Sequence, residues 1–166
     1  MGIPTAEYDT LEKPADDIEI RYYPEMVIAR TNASGSNEAF RKIAAYIFGS
    51  NEKQLKISMT TPVITCYPQE EGMEMAFVLP EEFTSTKPPA PLSEDVVLQT
   101  LSPRRIAVVK FRGSISDAII SHKRSYLEQF LDSHDYIRKG TFFRLSYDPP
   151  WVPDFLKRHE IATRIE

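Results

Sequence analysis

The segment KISMTTPVIT, residues 56–65, is the part of the chain that bears most directly on its fold class. Apolar and polar residues alternate from Ile57 to Thr60, and Val63 continues the apolar set, which is the pattern of a strand with one buried face. Pro62 cannot donate to a sheet ladder. The sequence therefore predicts a strand that lies at an edge, bends at a bulge, or leaves its neighbour at Pro62.

Segments with strand-like composition lie on both sides of this one. Alternation and β-branched residues predict strands at IEIRYY (18–23), MVIART (26–31), KISMTTPVITC (56–66), MEMAFVL (73–79), VVLQTL (96–101), RIAVVKF (105–111), TFFRLSY (141–147) and EIATRI (160–165). A sheet of about eight strands is expected.

Two helices interrupt the strands. The first is EAFRKIAAYIF (38–48), with Ser36 or Asn37 as its N-cap and apolar residues at i, i+3, i+4 and i+7 from Phe40. The second runs from about 117 to 132 and has a similar apolar arc. Each helix has an apolar side that can pack on a sheet.

The order of these elements repeats. Strand, strand, helix, strand, strand occurs once at about 17–80 and again at about 96–166, with a proline-rich linker at 80–95. We therefore expect one α+β domain over residues 1–166, built with pseudo-twofold symmetry from two related halves.

Composition limits the classes of function. The net charge of −4 argues against nucleic acids and membrane surfaces as partners. Cys66 is the single cysteine, so an intramolecular disulfide is excluded, and the acidic N-terminal region does not resemble a signal peptide. The longest apolar run, 43–48, is far too short to span a bilayer. A soluble, cytoplasmic protein is expected.

Catalytic signatures are absent from the sequence. His122, His134 and His159 occur singly, at spacings that match no metal motif. Cys66 has no Lys, Arg or His within three residues that would lower the pKa of its thiol. No nucleophile elbow, zinc motif or phosphate loop is present. We therefore predict no catalytic residue and no enzymatic activity.

Two aromatic features remain. Tyr22 shares a strand face with Ile18 and Ile20, so its ring is expected to point inward, either as a core tyrosine or as a polar group aimed into a ligand cavity. The alternate residues of that strand are expected to point outward: Glu19, Arg21 and Tyr23. In the proline-rich segment 148–158, Trp151 is expected to pack on the body of the protein, as is Phe155.

Four segments together resemble one known family. They are EIRYYP (19–24), AFRKIAAYIFGSNEKQLKISMTTPV (39–63), FVLPEEFT (77–84) and YDPPWVPDFLKRHEIA (147–162). Their sequence and order resemble the SOUL haem-binding protein family. The resemblance implies a twisted, β-barrel-like antiparallel sheet flanked by two helices, similar in fold to bacterial effector-binding domains of the gyrase-inhibitor type.

The resemblance also implies a ligand, which is haem or another porphyrin, not covalently bound, in an apolar groove beside the first helix. Phe40 and Ala44 would contact the ring. The positions at which family members are thought to carry basic residues for the propionates are Asn37 and Ala45 here, which leaves Arg41 as the nearest suitable cation.

Iron ligation is implied more weakly. The position proposed for an axial histidine in one branch of the family matches Tyr22, and tyrosinate can ligate ferric haem. His159 stands where family members usually have Asn and is a second, weaker candidate. The expected function is that of a soluble tetrapyrrole carrier or buffer, with protein partners unknown. The alternative is an effector-sensing or protein-interaction module of gyrase-inhibitor-like fold that binds no haem, which the uncharged Asn37 and Ala45 favour.

Overall fold

The computed structural model describes residues 3–66, 72–149 and 151–166. The strands and helices of this part of the chain are β1 (Asp9–Ala15), β2 (Ile18–Tyr23), β3 (Met26–Ala33), α1 (Ser36–Ile47), β4 (Val63–Cys66), β5 (Met73–Val78), β6 (Val97–Leu101), β7 (Arg104–Arg112), α2 (Asp117–Ser133), β8 (Arg138–Ser146) and β9 (Arg158–Ile165). All registered strand pairs are antiparallel. The mixed, sheet-dominated α+β class predicted from the sequence is confirmed.

These elements form two compact units. The first comprises Met1–Ala6 and Glu25–Ser102, and the second Glu7–Pro24 and Pro103–Glu166. The strand order is β4-β5-β3-β6 in the first unit and β1-β2-β7-β9-β8 in the second. Neither order returns to its first strand, so the sheet of each unit is open and not a closed barrel. The single domain with halves at about 17–80 and 96–166 stays a prediction.

The first unit has its core between α1 and the sheet. Buried residues of β3 and β5 meet the buried side of α1, and the Tyr46 hydroxyl donates to the Pro89 carbonyl at 2.8 Å. The segment predicted as a linker, 80–95, contributes Phe83 to this core. Its short 3-10 helix, Glu81–Thr84, buries Phe83.

The second unit has a similar core under α2. Ile18 and Ile20 of β2 pack there with Leu127 and Leu131, the two buried residues of α2. The N-cap of α2 is Ser116, whose hydroxyl accepts a hydrogen bond from the Ile119 amide at 3.2 Å. Strand β1 has no predicted counterpart, because its sequence, DTLEKPA, is exposed, charged and interrupted by proline.

The segment KISMTTPVIT is only partly a strand. Ladder pairing with β5 begins at Val63, directly after Pro62, whereas residues 56–60 belong to no strand and Thr61 forms only an isolated bridge with Thr5. The Ile57 amide donates instead to the Ile47 carbonyl at the end of α1, at 2.7 Å. Pro62 therefore marks the start of regular pairing rather than its end, consistent with its missing donor.

The N-cap predicted for α1 was wrong. The N-cap residue is Gly35, which offers no side-chain oxygen, and the helix begins at Ser36. Glu38 in the first turn reaches back instead, and its carboxylate accepts hydrogen bonds from the Ser34 amide at 3.1 Å and hydroxyl at 2.8 Å. A carboxylate at this end also suits the helix dipole.

Candidate functional site

A stripe of apolar and polar residues runs along α1 beside the face that packs in the core of the first unit. Positions 37, 40, 41, 44, 45 and 48 fall within one side of the helix by its 3.6-residue period. We call this side the outer stripe of α1, with members Asn37, Phe40, Arg41, Ala44, Ala45 and Phe48. Phe40 is 38% exposed and Phe48 is 59% exposed, while Ala44 is buried. Two phenylalanines thus meet solvent two turns apart, with small residues between them.

The packing of α1 fixes the direction of this stripe. Ile43 and Ile47 are completely or almost completely buried in the core of the first unit. The Phe40 ring also touches the buried Phe77 ring, with a centroid separation of 5.5 Å. Because the side of α1 that carries Ile43 and Ile47 packs in the core, most residues of the outer stripe are exposed to solvent.

The charges beside the stripe are not equivalent. Lys42 lies off the stripe, where it pairs with Glu38 at 3.3 Å and with Asp95 at 3.8 Å. Arg41 is exposed on the stripe and forms no ion pair within the described residues. A role for Arg41 at the anionic edge of a ligand stays a prediction.

Tyr22 does not point into the core as predicted. The ring is 37% exposed, whereas the neighbouring residues predicted to face outward, Arg21 and Tyr23, are buried. Arg21 and Tyr23 are buried because both faces of β2 are covered, one by the apolar core and the other by a polar network, whereas Tyr22 is exposed near the end of the strand. A role for Tyr22 as an iron ligand stays a prediction.

His159, on β9, is buried and contacts side chains of β7 and β8. Its ring packs against that of Phe111, and its Nδ1 lies 3.3 Å from the Ser146 hydroxyl. Burial, and then the nearby cations Arg144 and Lys157, lower the pKa of His159, so the neutral form is favoured.

Tyr22 and His159 cannot ligate one iron. Tyr22 is in register with Arg105 of β7, whereas His159 is in register with Phe111 of the same strand. Six residues of β-strand separate these positions, or about 20 Å. At most one of the two could be an axial ligand of a given haem. Within the described residues, no cluster of three His, Cys, Asp or Glu side chains could hold a metal ion.

A buried ionic network in the second unit was missed from the sequence. Arg21 is 1% exposed, and its guanidinium forms two hydrogen bonds to the Glu160 carboxylate, at 2.7 and 2.6 Å. The Tyr147 hydroxyl donates to the same carboxylate, and the guanidinium lies 4.1 Å from the centroid of the Tyr8 ring. The buried Arg21 guanidinium is thus paired with a carboxylate and packs against an aromatic ring.

Glu19 extends the network on the same face of β2. It accepts hydrogen bonds from Arg21 Nε at 3.3 Å and from Lys110 Nζ at 2.9 Å. Burial alone would raise the pKa of Glu19, but Lys110 and Arg21 outweigh it and the pKa lies below its ordinary value. Burial also raises the pKa of Tyr23 to about 12. Every charge is paired, so the arrangement suits structural support better than proton transfer.

A cavity of about 300 Å³ lies elsewhere in the first unit, away from the outer stripe of α1. Its walls come from β3, β6 and the segment that follows the 3-10 helix, and include Val27, Phe83, Lys87 and Thr100. None of its lining residues belongs to α1. The groove expected beside the first helix is therefore a different feature from this cavity and stays a prediction.

The loop around Trp151 also differs from expectation. Trp151 is 80% exposed and Phe155 is exposed too, so neither packs on the body of the protein. The base of the loop is fixed by an ion pair between Arg158 and Asp148 at 3.0 Å.

No helix in the described part of the chain is long and apolar enough to cross a membrane.

Comparison with known proteins agrees with the resemblance seen in the sequence. The sequence pattern of the SOUL heme-binding protein family matches residues 3–164. Heme-binding protein 1 of Sus scrofa is 27% identical over 130 residues, which cover 75% of this chain and 68% of that protein. Heme-binding protein 2 of Homo sapiens is 32% identical over 108 residues, which cover 57% of this chain and 52% of that protein.

A solved structure has the same fold. The crystal structure of a hydrolase from Listeria innocua has a TM-score of 0.64 with this chain at 12% identity, covering 93% of this chain and 94% of that one. At this identity the likeness concerns the fold and carries no information on activity. The family match, by contrast, spans nearly the whole sequence. The chain therefore belongs to the SOUL heme-binding protein family.

Proposed function

We propose that this protein binds haem or a related porphyrin, without a covalent bond, on the outer stripe of α1. The observation that carries the proposal is the pair Phe40 and Phe48, exposed on one side of one helix. Eight residues of helix separate them by about 12 Å. Burying apolar surface against a large planar ring gives affinity without many directed bonds.

The charges fit one edge of such a ligand. A porphyrin carries propionates, and Arg41 is the exposed cation of the stripe that has no carboxylate partner in the described residues. The neighbouring positions Asn37 and Ala45 add no charge. A single arginine on an exposed surface contributes modestly, so most of the affinity is assigned to apolar contact.

The outer stripe offers no axial ligand. Its members carry neither imidazole, thiol, thioether nor phenol, and the one tyrosine of α1, Tyr46, is buried with its hydroxyl on Pro89. Bound haem would supply a planar, apolar surface and two carboxylates, and the residues present fit those groups but not the iron. We therefore expect protoporphyrin IX without iron to bind within about threefold of hemin.

The broader role proposed is that of a carrier or buffer in the cytoplasm, acting by binding rather than by catalysis. Exposed contact on one helix suits reversible loading, because little of the chain must move to admit or release a ring. The net charge of −4 favours neither nucleic acid nor anionic membrane as a partner.

A titration of purified protein with hemin tests the proposal. A saturable shift of the Soret band at micromolar hemin is expected, and replacing Arg41 by Gln should weaken it, whereas Lys87→Gln, which removes another exposed cation of the first unit, should not. If hemin produces no saturable shift, the proposal fails. An unchanged ferric spectrum in Tyr22→Phe would remove Tyr22 as a ligand.

The second candidate is an effector-sensing or protein-interaction module that binds no haem. The specific observation in its favour is that Asn37 and Ala45 are uncharged where family members are thought to carry basic residues. The two candidates differ in the hemin titration, since only the first predicts saturable binding that depends on Arg41.

A further inference from the structure

Strand β6 is the end strand of the first unit on the side of β3. Its sequence, VLQTL, has no charge and no proline, and its register with β3 runs from Val97 to Leu101 without a shift. Val97 is exposed. An edge of this kind is a template for pairing with another strand, and proteins usually protect such edges.

Strand β1, the end strand of the second unit, has the features of a protected edge. It carries Glu12, Lys13 and Pro14, and its pairing with β2 is interrupted by two register shifts. Charge, proline and irregularity are the devices that discourage pairing at an edge. The chain has these devices on β1 and lacks them on β6.

The hydrogen-bonding direction of β6 can be read from its neighbours. The Val27 carbonyl accepts from the Leu79 amide at 2.9 Å, so the backbone of Val27 faces β5. Val27 is in register with Thr100, whose backbone N–H and C=O therefore face away from β3. By the same alternation Leu98 faces outward, whereas Gln99 faces β3.

We infer that this edge pairs with β6 of a second copy of the chain in an antiparallel, twofold-symmetric arrangement centred on Gln99. In this register Leu98 of each copy lies opposite Thr100 of the other copy. Both residues of β6 whose backbone groups face outward therefore take part in the pairing. Each of these pairs can exchange both backbone hydrogen bonds. No charged residue lies opposite another within the five-residue strand, so the self-pairing meets no repulsion.

The cavity of the first unit adjoins this contact. Thr100 and Leu98 lie on the core face of the sheet, because they are in register with Val27 and Ala29 of the core. Three consecutive residues of β6, Leu98 to Thr100, line the cavity, as happens where a cavity follows the edge of a strand. The second copy's Leu98, opposite Thr100, would lie beside the rim of this cavity while it packs on its own core.

Sedimentation of the full chain from about 10 μM to about 1 mM tests this inference. A monomer–dimer equilibrium is expected. Thr100→Pro removes one outward donor but no bond to β3, and Thr100→Lys places a charge at the edge. Both should raise the dissociation constant at least tenfold, while Thr100→Ser, which keeps the amide, should match the parent. Circular dichroism and thermal unfolding establish which variants are folded.

Amide exchange gives a readout that is specific for the register. The Leu98 and Thr100 amides should become protected only at dimer concentrations, whereas the Gln99 amide, bonded to β3, should be protected at all concentrations. A chain that stays monomeric at about 1 mM overturns the inference, even if the edge accepts a strand of another protein. A dimer unaffected by Thr100→Lys in the folded variant overturns it as well.

Discussion

Phe48→Ala is the change that separates ring contact from folding most cleanly. Phe48 is the C-cap residue of α1 and is 59% exposed, so its loss should leave the core of the first unit intact. A phenylalanine side chain presents about 200 Å², so about 120 Å² of Phe48 is accessible. A planar ligand covers one face, or about 60 Å², which is worth about 1.5 kcal/mol at 25 cal/mol/Å².

The expected result is a dissociation constant for hemin about tenfold higher than that of the parent protein. Titration followed by the Soret band measures it, with thermal unfolding as a check that the variant is folded. Phe155→Ala is the matched control, because it removes another exposed phenylalanine that is not on α1. If Phe48→Ala stays within twofold of the parent, or if Phe155→Ala has the larger effect, ring binding on the outer stripe is refuted.

Three further predictions concern stability and the loop around Trp151. Arg21→Ala should lower the free energy of unfolding by about 3–5 kcal/mol, because it leaves the buried Glu160 carboxylate without its cation, whereas Arg158→Ala, which removes an exposed guanidinium from its pair with Asp148, should cost at most about 1 kcal/mol; urea unfolding compares them. The pKa of Glu19 is lowered on folding, so its contribution to stability is complete above the ordinary carboxyl pKa and is lost as pH falls through the folded pKa. In Lys110→Met, Glu19 has lost one of the cations that lower its pKa. The free energy of unfolding of this variant should therefore fall less between pH 6 and pH 3 than that of the parent protein. An equal dependence on pH in the two proteins would contradict this. Trp151 is the only tryptophan and is 80% exposed, so acrylamide should quench its fluorescence nearly as efficiently as that of a free tryptophan analogue; strong protection from quenching would contradict the structure.

Local sequence patterns predicted most of the secondary structure. The strand predicted at 18–23 coincides with β2, and the periodicity from Phe40 identified the apolar side of α1. Strand β1 escaped notice because charged residues and Pro14 are typical of edges and loops as well. In KISMTTPVIT, alternation alone could not show that the strand begins at Val63 and that the residues before Pro62 lie outside it.

Long-range pairing explains what the sequence could not reveal about the site. Arg21 looked like an outward residue because its partner, Glu160, lies 139 positions away and only the fold brings them together. Because Arg21 and Tyr23 are buried in that network, the assumption that one face of β2 is exposed to solvent fails. Tyr22 is exposed for a different reason, since it lies near the end of β2, beyond Ile18 and Ile20 of the core. Five members of the outer stripe of α1 were named from the family resemblance and stay predictions as site residues, and Phe48 was not among them.

Backbone NMR spectra recorded with and without hemin test the central claim most directly. Ferric haem broadens the signals of nearby amides, so a ring on the outer stripe should broaden those of Phe40, Arg41, Ala45 and Phe48 first. The amides of β6 and of the loop around Trp151 should keep their intensity. Broadening confined to those other regions, with the signals of α1 unchanged, would contradict the account.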